Sequence, residues 1–179
     1  MIDTAMVLAA GKGTRMRAAA GDPPKPLVEL AGESLLARML DRLRAACITR
    51  IIVNVHHKAA QIEAMLAAYA AAHPSLEIHI SDERDTLLET GGGVKKALPL
   101  LGAVPFLVAN ADLVWLENSP AIDALMAGFE ADTMQARLMP RAPRQAAMTV
   151  LAIITCGRMA ACSVAARRKP IGFSPVCKS

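Results

Sequence analysis

The run Ala5-Met6-Val7-Leu8-Ala9-Ala10 passes without a break into Gly11-Lys12-Gly13-Thr14-Arg15-Met16. The apolar part reads as a short buried strand that ends in a glycine-bearing basic loop. Gly11 and Gly13 permit backbone angles and a close approach that a Cβ would forbid, so successive N–H groups can line a phosphate. Lys12 and Arg15 add positive charge, as does Lys25 in Pro24-Lys25-Pro26-Leu27, and Arg15 has the fork geometry suited to phosphate oxygens. The chemistry suggested is binding of a nucleoside triphosphate, with charge build-up at its α-phosphorus eased by these cations. Neither common phosphate loop fits. Met16 stands where G-x-G-x-x-G needs its third glycine, and no G-K-[ST] ending is present. Taken alone, Gly-x-Gly is also an ordinary turn with solvated basic residues.

Outward from this loop the chain alternates strand and helix. Val28-Glu29-Leu30 reads as a short strand and Ala31-Gly32 as a turn. Ser34 is placed to cap a helix starting at Leu35, with Leu36, Met39, Leu40 and Leu43 on its buried face. Arg50 to Val55 is a β-branched run of the kind found in buried parallel strands. Gln61 to Ala72 reads as a helix burying Ile62, Met65, Leu66 and Tyr69, ended by His73-Pro74. Glu77 to Ser81, with His79 on its surface, and Val104 to Ala109 read as further strands. Val94 to Leu101 is the helix between them, and Ser119-Pro120 starts another that buries Ile122, Leu125, Met126 and Phe129. The alternation predicts an α/β fold with a mostly parallel sheet and helices on both faces.

Two further stretches carry chemistry. In Leu88-Glu89-Thr90-Gly91-Gly92-Gly93, three successive glycines cost backbone entropy. They read either as a hinge or as a backbone surface laid flat against a ligand ring, with Glu89 or Thr90 nearby. Asn110-Ala111-Asp112 ends a strand facing the phosphate loop. A carboxylate there is either a cap or a ligand holding Mg²⁺ against phosphate oxygens. His56 and His57, at the end of the Arg50–Val55 strand, read as a loop imidazole pair in preference to a metal site. Asp82-Glu83-Arg84-Asp85 reads as a solvated charged turn, and Trp115 as a loop anchor in preference to a sugar-stacking ring.

The glycine loop with its Pro-Lys-Pro-Leu partner, Glu29-Leu30-Ala31-Gly32-x-x-Leu35-Leu36, Glu89-Thr90-Gly91-Gly92-Gly93 and Asn110-x-Asp112 occur in this order. Together they resemble the sugar-phosphate nucleotidyltransferases, which make nucleotide-sugars. The pattern is closest to the bacterial branch of N-acetylmuramate 1-phosphate uridylyltransferases and mannose-1-phosphate guanylyltransferases. The resemblance implies a Rossmann-like three-layer sandwich, here C-terminally incomplete. It implies that Ala10, Gly11, Lys12, Gly13 and Thr14 hold the triphosphate and that Arg15 and Lys25 stabilise the pentavalent phosphorus. Glu89, Thr90, Gly91 and Gly92 would form the base pocket, Asn110 would contact nucleotide or sugar phosphate, and Asp112 would be the catalytic Mg²⁺ ligand. UTP or GTP and a sugar 1-phosphate are the implied substrates.

The resemblance spans about residues 5–132, and the bulk composition changes at the same place. All 16 acidic residues lie at or before Asp132 beside 12 of the 20 basic ones, while residues 133–179 carry the other eight and no acid. The net charge of +4 is therefore a property of that last segment. The resemblance implies sugar-contacting strands after this point and then a second acidic metal ligand well downstream, and no acid follows Asp132 to supply it. Three of the four cysteines, Cys156, Cys162 and Cys177, also sit in it, at no zinc spacing. The segment reads either as an out-of-frame continuation, poorly ordered, or as a divergent basic tail that recruits a partner. The domains expected are thus a nucleotidyltransferase part over 1–132 and an atypical tail over 133–179. No run of about 18 apolar residues suggests a membrane span, and no secretory signal opens the chain. A cytoplasmic protein without membrane partners is expected. A nucleic-acid binder is disfavoured because the basic tail has one aromatic, Phe173, and no binding motif. The competing class is a non-catalytic nucleotide-binding module with a partner-binding tail.

Overall fold

The computed structural model describes residues 2–11, 23–115, 120–139 and 151–155. The readings on Gly21, Asp22 and Ser119, and those on the tail beyond residue 155, lie outside them.

Strand β1 (Thr4–Leu8) is the centre of the fold, apolar on both faces after Thr4 and buried from Thr4 to Val7. Parallel partners flank it, β4 (Arg50–Val55) on one side and β6 (Phe106–Asn110) on the other. Beyond β4 lies β5 (Glu77–Asp82), also parallel. Beyond β6 lies β8 (Leu151–Ile154), antiparallel to it, and then β7 (Ala136–Leu138) on the edge, so the order is β5-β4-β1-β6-β8-β7. Alternate residues of the central strands face opposite layers. Ala5, Val7, Ile51, Val53, Leu107 and Ala109 join one core, and Met6, Ile52, Phe106 and Val108 the other.

Helices α1 (Leu35–Ala45), α2 (Ala59–Ala72) and α4 (Ala121–Ala127) cover the first face, and α3 (Thr90–Leu101) covers the second. The expected three-layer α/β sandwich is what forms. Ser34 caps α1 as its position predicts, its Oγ accepting from the Ala37 N–H at 3.1 Å. Such a cap contributes about 1 kcal/mol. Between the glycine loop and α1, strands β2 (Glu29–Leu30) and β3 (Glu33–Ser34) form a hairpin. Its two turn residues, Ala31 and Gly32, both have positive φ (52° and 81°), the pattern of a two-residue hairpin turn.

Several boundaries move. Helix α2 starts at Ala59, because Lys58 (φ 53°) turns the chain before the periodic residues begin. β6 starts at Phe106 and leaves Val104 55% exposed. The glycine triplet is not a loop leading to a helix at Val94. It is the first turn of α3, opened by Glu89 as the flanking residue, with the Gly93 N–H donating to the Glu89 carbonyl at 2.8 Å. The charged turn is corrected too. Asp82, Arg84 and Asp85 are exposed, but Glu83 is 0% exposed, because its carboxylate has main-chain and amide partners inside the protein. The described parts of the segment 133–179 are built into the sheet as β7 and β8, with Ala152 and Ile153 buried against β6. Among the described residues no helix is long and apolar enough to cross a membrane.

Helices α1 and α2 are joined by a hydrogen bond from the Tyr69 hydroxyl to Asp41 Oδ1 at 2.7 Å. Burial works against ionisation of Asp41, but the bonds from Tyr69 and Arg44 outweigh it and hold its pKa below the ordinary carboxylate value. Burial, followed by the bond to Asp41, pushes the Tyr69 phenol up. The depressed carboxylate stabilises the fold above its unfolded pKa, and that contribution is lost as pH falls through the folded one. The raised phenol stabilises it below about pH 10, and that contribution is lost as pH rises further. Tyr69→Phe is expected to cost about 1 kcal/mol near neutrality. It should also remove the loss above about pH 10, as read by urea unfolding across the pH range.

Candidate active site

Four parallel strands end on one edge of the sheet. Ligands of open α/β sheets bind outside such carboxyl ends, at the point where the strand order reverses. Here that point lies between β1 and β6: from β1 the chain builds outward through β4 and β5, then returns to β1's other side as β6. The glycine loop leaves β1 there, and Asn110-Ala111-Asp112 leaves β6 there. The register places Leu8 opposite both Asn54 of β4 and Asn110 of β6.

The start of the glycine loop is stitched down on both sides. The Leu8 carbonyl accepts from the Ala111 N–H at 3.1 Å, and the Ala9 N–H donates to Asn54 Oδ1 at 2.7 Å. Ala9 and Ala10 are buried, and Gly11 emerges exposed with open space where a Cβ would stand. Lys12, Gly13, Thr14 and Arg15 lie outside the described residues.

Lys25 opens a short 3₁₀ turn, Lys25–Leu27, seated on α1, with the prolines on either side buried. Its ammonium forms an ion pair with Asp112 Oδ2, both side chains being partly exposed. Two predicted site residues 87 positions apart in sequence are thus brought together, Asp112 directly following Ala111, whose N–H meets the Leu8 carbonyl at the end of β1. Asn110 is half-buried at the end of β6. Glu89, Thr90 and Gly91 are exposed at the start of α3. The first N–H groups of that helix have no carbonyl one turn back, as in any helix.

Two residues that sequence reasoning missed hold these parts together. Asn54 Nδ2 donates to Glu83 Oε1 at 2.8 Å, and Glu83 Oε2 accepts from the Leu88 N–H at 3.1 Å. Glu83 is itself held by its main chain: its N–H donates to the Val55 carbonyl, and its carbonyl accepts from His56 Nδ1 at 2.7 Å. His56 therefore has a structural contact at the site's edge. Trp115 is a loop anchor, as expected. The Arg42 guanidinium lies 4.2 Å from its ring centre and also donates to its carbonyl at 2.8 Å. The one hint in the sequence was a polar Asn54 inside the otherwise apolar run Ile51–Val55.

Comparison with known proteins agrees with this architecture. A family model described as the MobA-like NTP transferase domain matches residues 5–171, beyond the Asp132 at which the motif resemblance ends. An N-acetylmuramate alpha-1-phosphate uridylyltransferase of Caulobacter vibrioides is 52% identical over 136 residues, which is 75% of this chain and 56% of that protein. HddC from Yersinia pseudotuberculosis, solved complexed with GMP-PN, is 30% identical with a TM-score of 0.52, over 62% of this chain and 48% of that one. UDP-glucose pyrophosphorylase complexed with UDP-glucose superposes with a TM-score of 0.67 over 87% of this chain and 76% of that one. At 14% identity that likeness shows the fold. The chain spans about half the length of the curated relatives it matches. With the match covering nearly all of its length, the chain belongs to the family of MobA-like NTP transferase domains.

Proposed function

We propose that this chain is the nucleotide-binding part of a cytoplasmic sugar-1-phosphate nucleotidyltransferase. The observation that carries the reading is the meeting of Lys25 and Asp112 at the point where the strand order reverses. A cation and a carboxylate meet next to the strand end from which the glycine loop also leaves.

In the proposed reaction a phosphate oxygen of the sugar 1-phosphate attacks the α-phosphorus of UTP or GTP. A new phosphorus–oxygen bond forms in line as the bond to the β-phosphate oxygen breaks, and pyrophosphate leaves. The role of this chain's residues is positioning and electrostatics. The backbone of Ala10 to Thr14 lines the triphosphate, while Lys12, Arg15 and Lys25 offset charge gathering on the phosphoryl oxygens. Glu89 to Gly92 border the base, and Asn110 orients the nucleotide or the sugar phosphate. Asp112 is a hard oxygen donor, partly exposed and adjacent to the triphosphate site, and this suits Mg²⁺, which binds through one or two carboxylates together with substrate phosphates. When bound, the ion would supply further neutralisation of phosphate charge.

The relative named as an N-acetylmuramate alpha-1-phosphate uridylyltransferase makes UTP and that sugar phosphate the first pair to try. Titration calorimetry of the full chain with UTP and GTP in magnesium should show binding of at least one. Pyrophosphate release with a sugar 1-phosphate should be weak, because residues 133–179 hold no carboxylate for a second metal ligand. A chain that binds no nucleoside triphosphate removes the reading. Tight binding with no turnover on any sugar phosphate supports the second one, a nucleotide-binding module, which the basic, acid-free segment 133–179 favours.

A further inference from the structure

We propose that Asn54 and Glu83 are the positioning pair of this site. They hold Ala9, where the chain leaves β1, and Leu88, which leads into α3, in fixed relation, so that the two borders of the nucleotide site are set by one buried link. The nucleotide part of this inference rests on the nucleotidyltransferase reading; the coupling of the two loops does not.

The chain of contacts is continuous, buried from Ala9 to Glu83 and partly buried at Leu88. It runs from the Ala9 N–H to Asn54 Oδ1 (2.7 Å), from Asn54 Nδ2 to Glu83 Oε1 (2.8 Å), and from the Leu88 N–H to Glu83 Oε2 (3.1 Å). Asn54 is 3% exposed and Glu83 0% exposed, so neither side chain is available as a ligand contact. What they touch are the main chains of the two segments that border the candidate nucleotide site. Gly93 closes the cluster from the α3 side, its Cα so near that an added Cβ would stand 2.8 Å from Glu83 Oε1.

The polarity of this chain can be counted. Both ends are N–H donors, which must meet acceptors. An amide side chain carries one acceptor and one donor, whereas an ionised carboxylate carries two acceptors. Two amides between two donors always leave at least one pair of donors facing each other, whichever way the amides are flipped. Two carboxylates leave two acceptors facing. One amide and one carboxylate satisfy every group, and the order of the two does not matter. The native pair is the amide of Asn54 followed by the carboxylate of Glu83. The reverse order, made by N54D together with E83Q, satisfies the same groups at the same charge.

That equivalence supplies the experiment, run on the full chain as wild type, E83Q, N54D and N54D/E83Q. Hydrogen exchange is followed at the Ala9 and Leu88 amides without nucleotide, and UTP affinity is measured well below each variant's unfolding midpoint. In E83Q a pair of donors is left facing, so at least one of the two amides should exchange about tenfold faster, and UTP affinity should fall about tenfold. N54D should behave likewise near neutrality and recover as the pH is lowered, because two facing carboxylates can share a proton. N54D/E83Q should return both readouts to within about threefold of wild type, as a preserved hydrogen-bond pattern requires. Unchanged exchange at both amides in E83Q, or a double variant no better than the single ones, overturns the proposal. So does lost protection with unchanged UTP affinity, which would confine the pair to folding. A wild-type chain that binds no nucleotide overturns the nucleotidyltransferase reading instead, and the exchange data then still decide whether the pair couples the two loops.

Discussion

Exchanging Asp112 for asparagine should tighten binding of a nucleoside triphosphate when magnesium is absent and weaken it when magnesium is present. The crossover follows from the ion pair between Lys25 and Asp112. Without metal, the carboxylate occupies the ammonium that a triphosphate needs and repels the triphosphate itself. Removing its charge while keeping its shape relieves both effects. With metal, the carboxylate is the only group of the pair that can hold Mg²⁺ against phosphate oxygens, and an amide is a poor substitute. An effect of about tenfold in each direction corresponds to about 1.4 kcal/mol, a modest demand for charges in contact at a partly exposed site. Lys25→Ala should weaken binding about tenfold to a hundredfold in both conditions, since it removes a charge-assisted contact worth about 1.5–3 kcal/mol. Calorimetric titration of UTP into the three proteins, with magnesium and with EDTA, measures all of this. A D112N variant that moves affinity the same way in both conditions contradicts the assignment of Asp112 as the metal ligand.

The second large effect separates the three glycines of α3. Alanine is the better helix former by about 1 kcal/mol, so propensity favours replacing any of them. Surroundings decide otherwise. At Gly91 an added Cβ meets nothing within 4 Å, and G91A should stabilise the fold by about 0.5 kcal/mol in this first turn. At Gly92 it stands 3.1 Å from the Leu88 Cβ, and the two effects roughly cancel. At Gly93 it stands 2.8 Å from Glu83 Oε1 and 2.9 Å from Asn54 Nδ2, inside the buried polar chain. Those groups cannot retreat without breaking hydrogen bonds to Ala9 or Leu88. Overpacking of about 1–3 kcal/mol and a strained buried bond outweigh the propensity gain. G93A should therefore lower stability by about 2–3 kcal/mol and the thermal midpoint by about 5–10 °C. Differential scanning fluorimetry on the three variants ranks them; a G93A protein as stable as G91A would mean that the cluster gives way easily.

The layout of most elements before residue 133 could be read from short-range pattern alone, whereas β7 and β8 in the following segment could not. The apolar runs at Ala5–Ala10 and Arg50–Val55 announced two central strands, and the spacing of Leu36, Met39, Leu40 and Leu43 announced α1 with Ser34 as its cap. The glycine loop and its ordered companion motifs identified the family, since chemistry that needs bare backbone and paired charge leaves a local signature. What only the tertiary structure decided are relations between distant positions. The order β5-β4-β1-β6-β8-β7, with β8 reversed, places Lys25 against Asp112. The pairing of Val55 with Asp82 across β4 and β5 sets Asn54 beside Glu83, 29 residues apart. In sequence, Glu83 stands among Asp82, Arg84 and Asp85 and looks like one more solvated charge. Its burial depends on two main-chain and amide donors arriving from elsewhere in the chain, and no periodicity or motif encodes where a donor arrives.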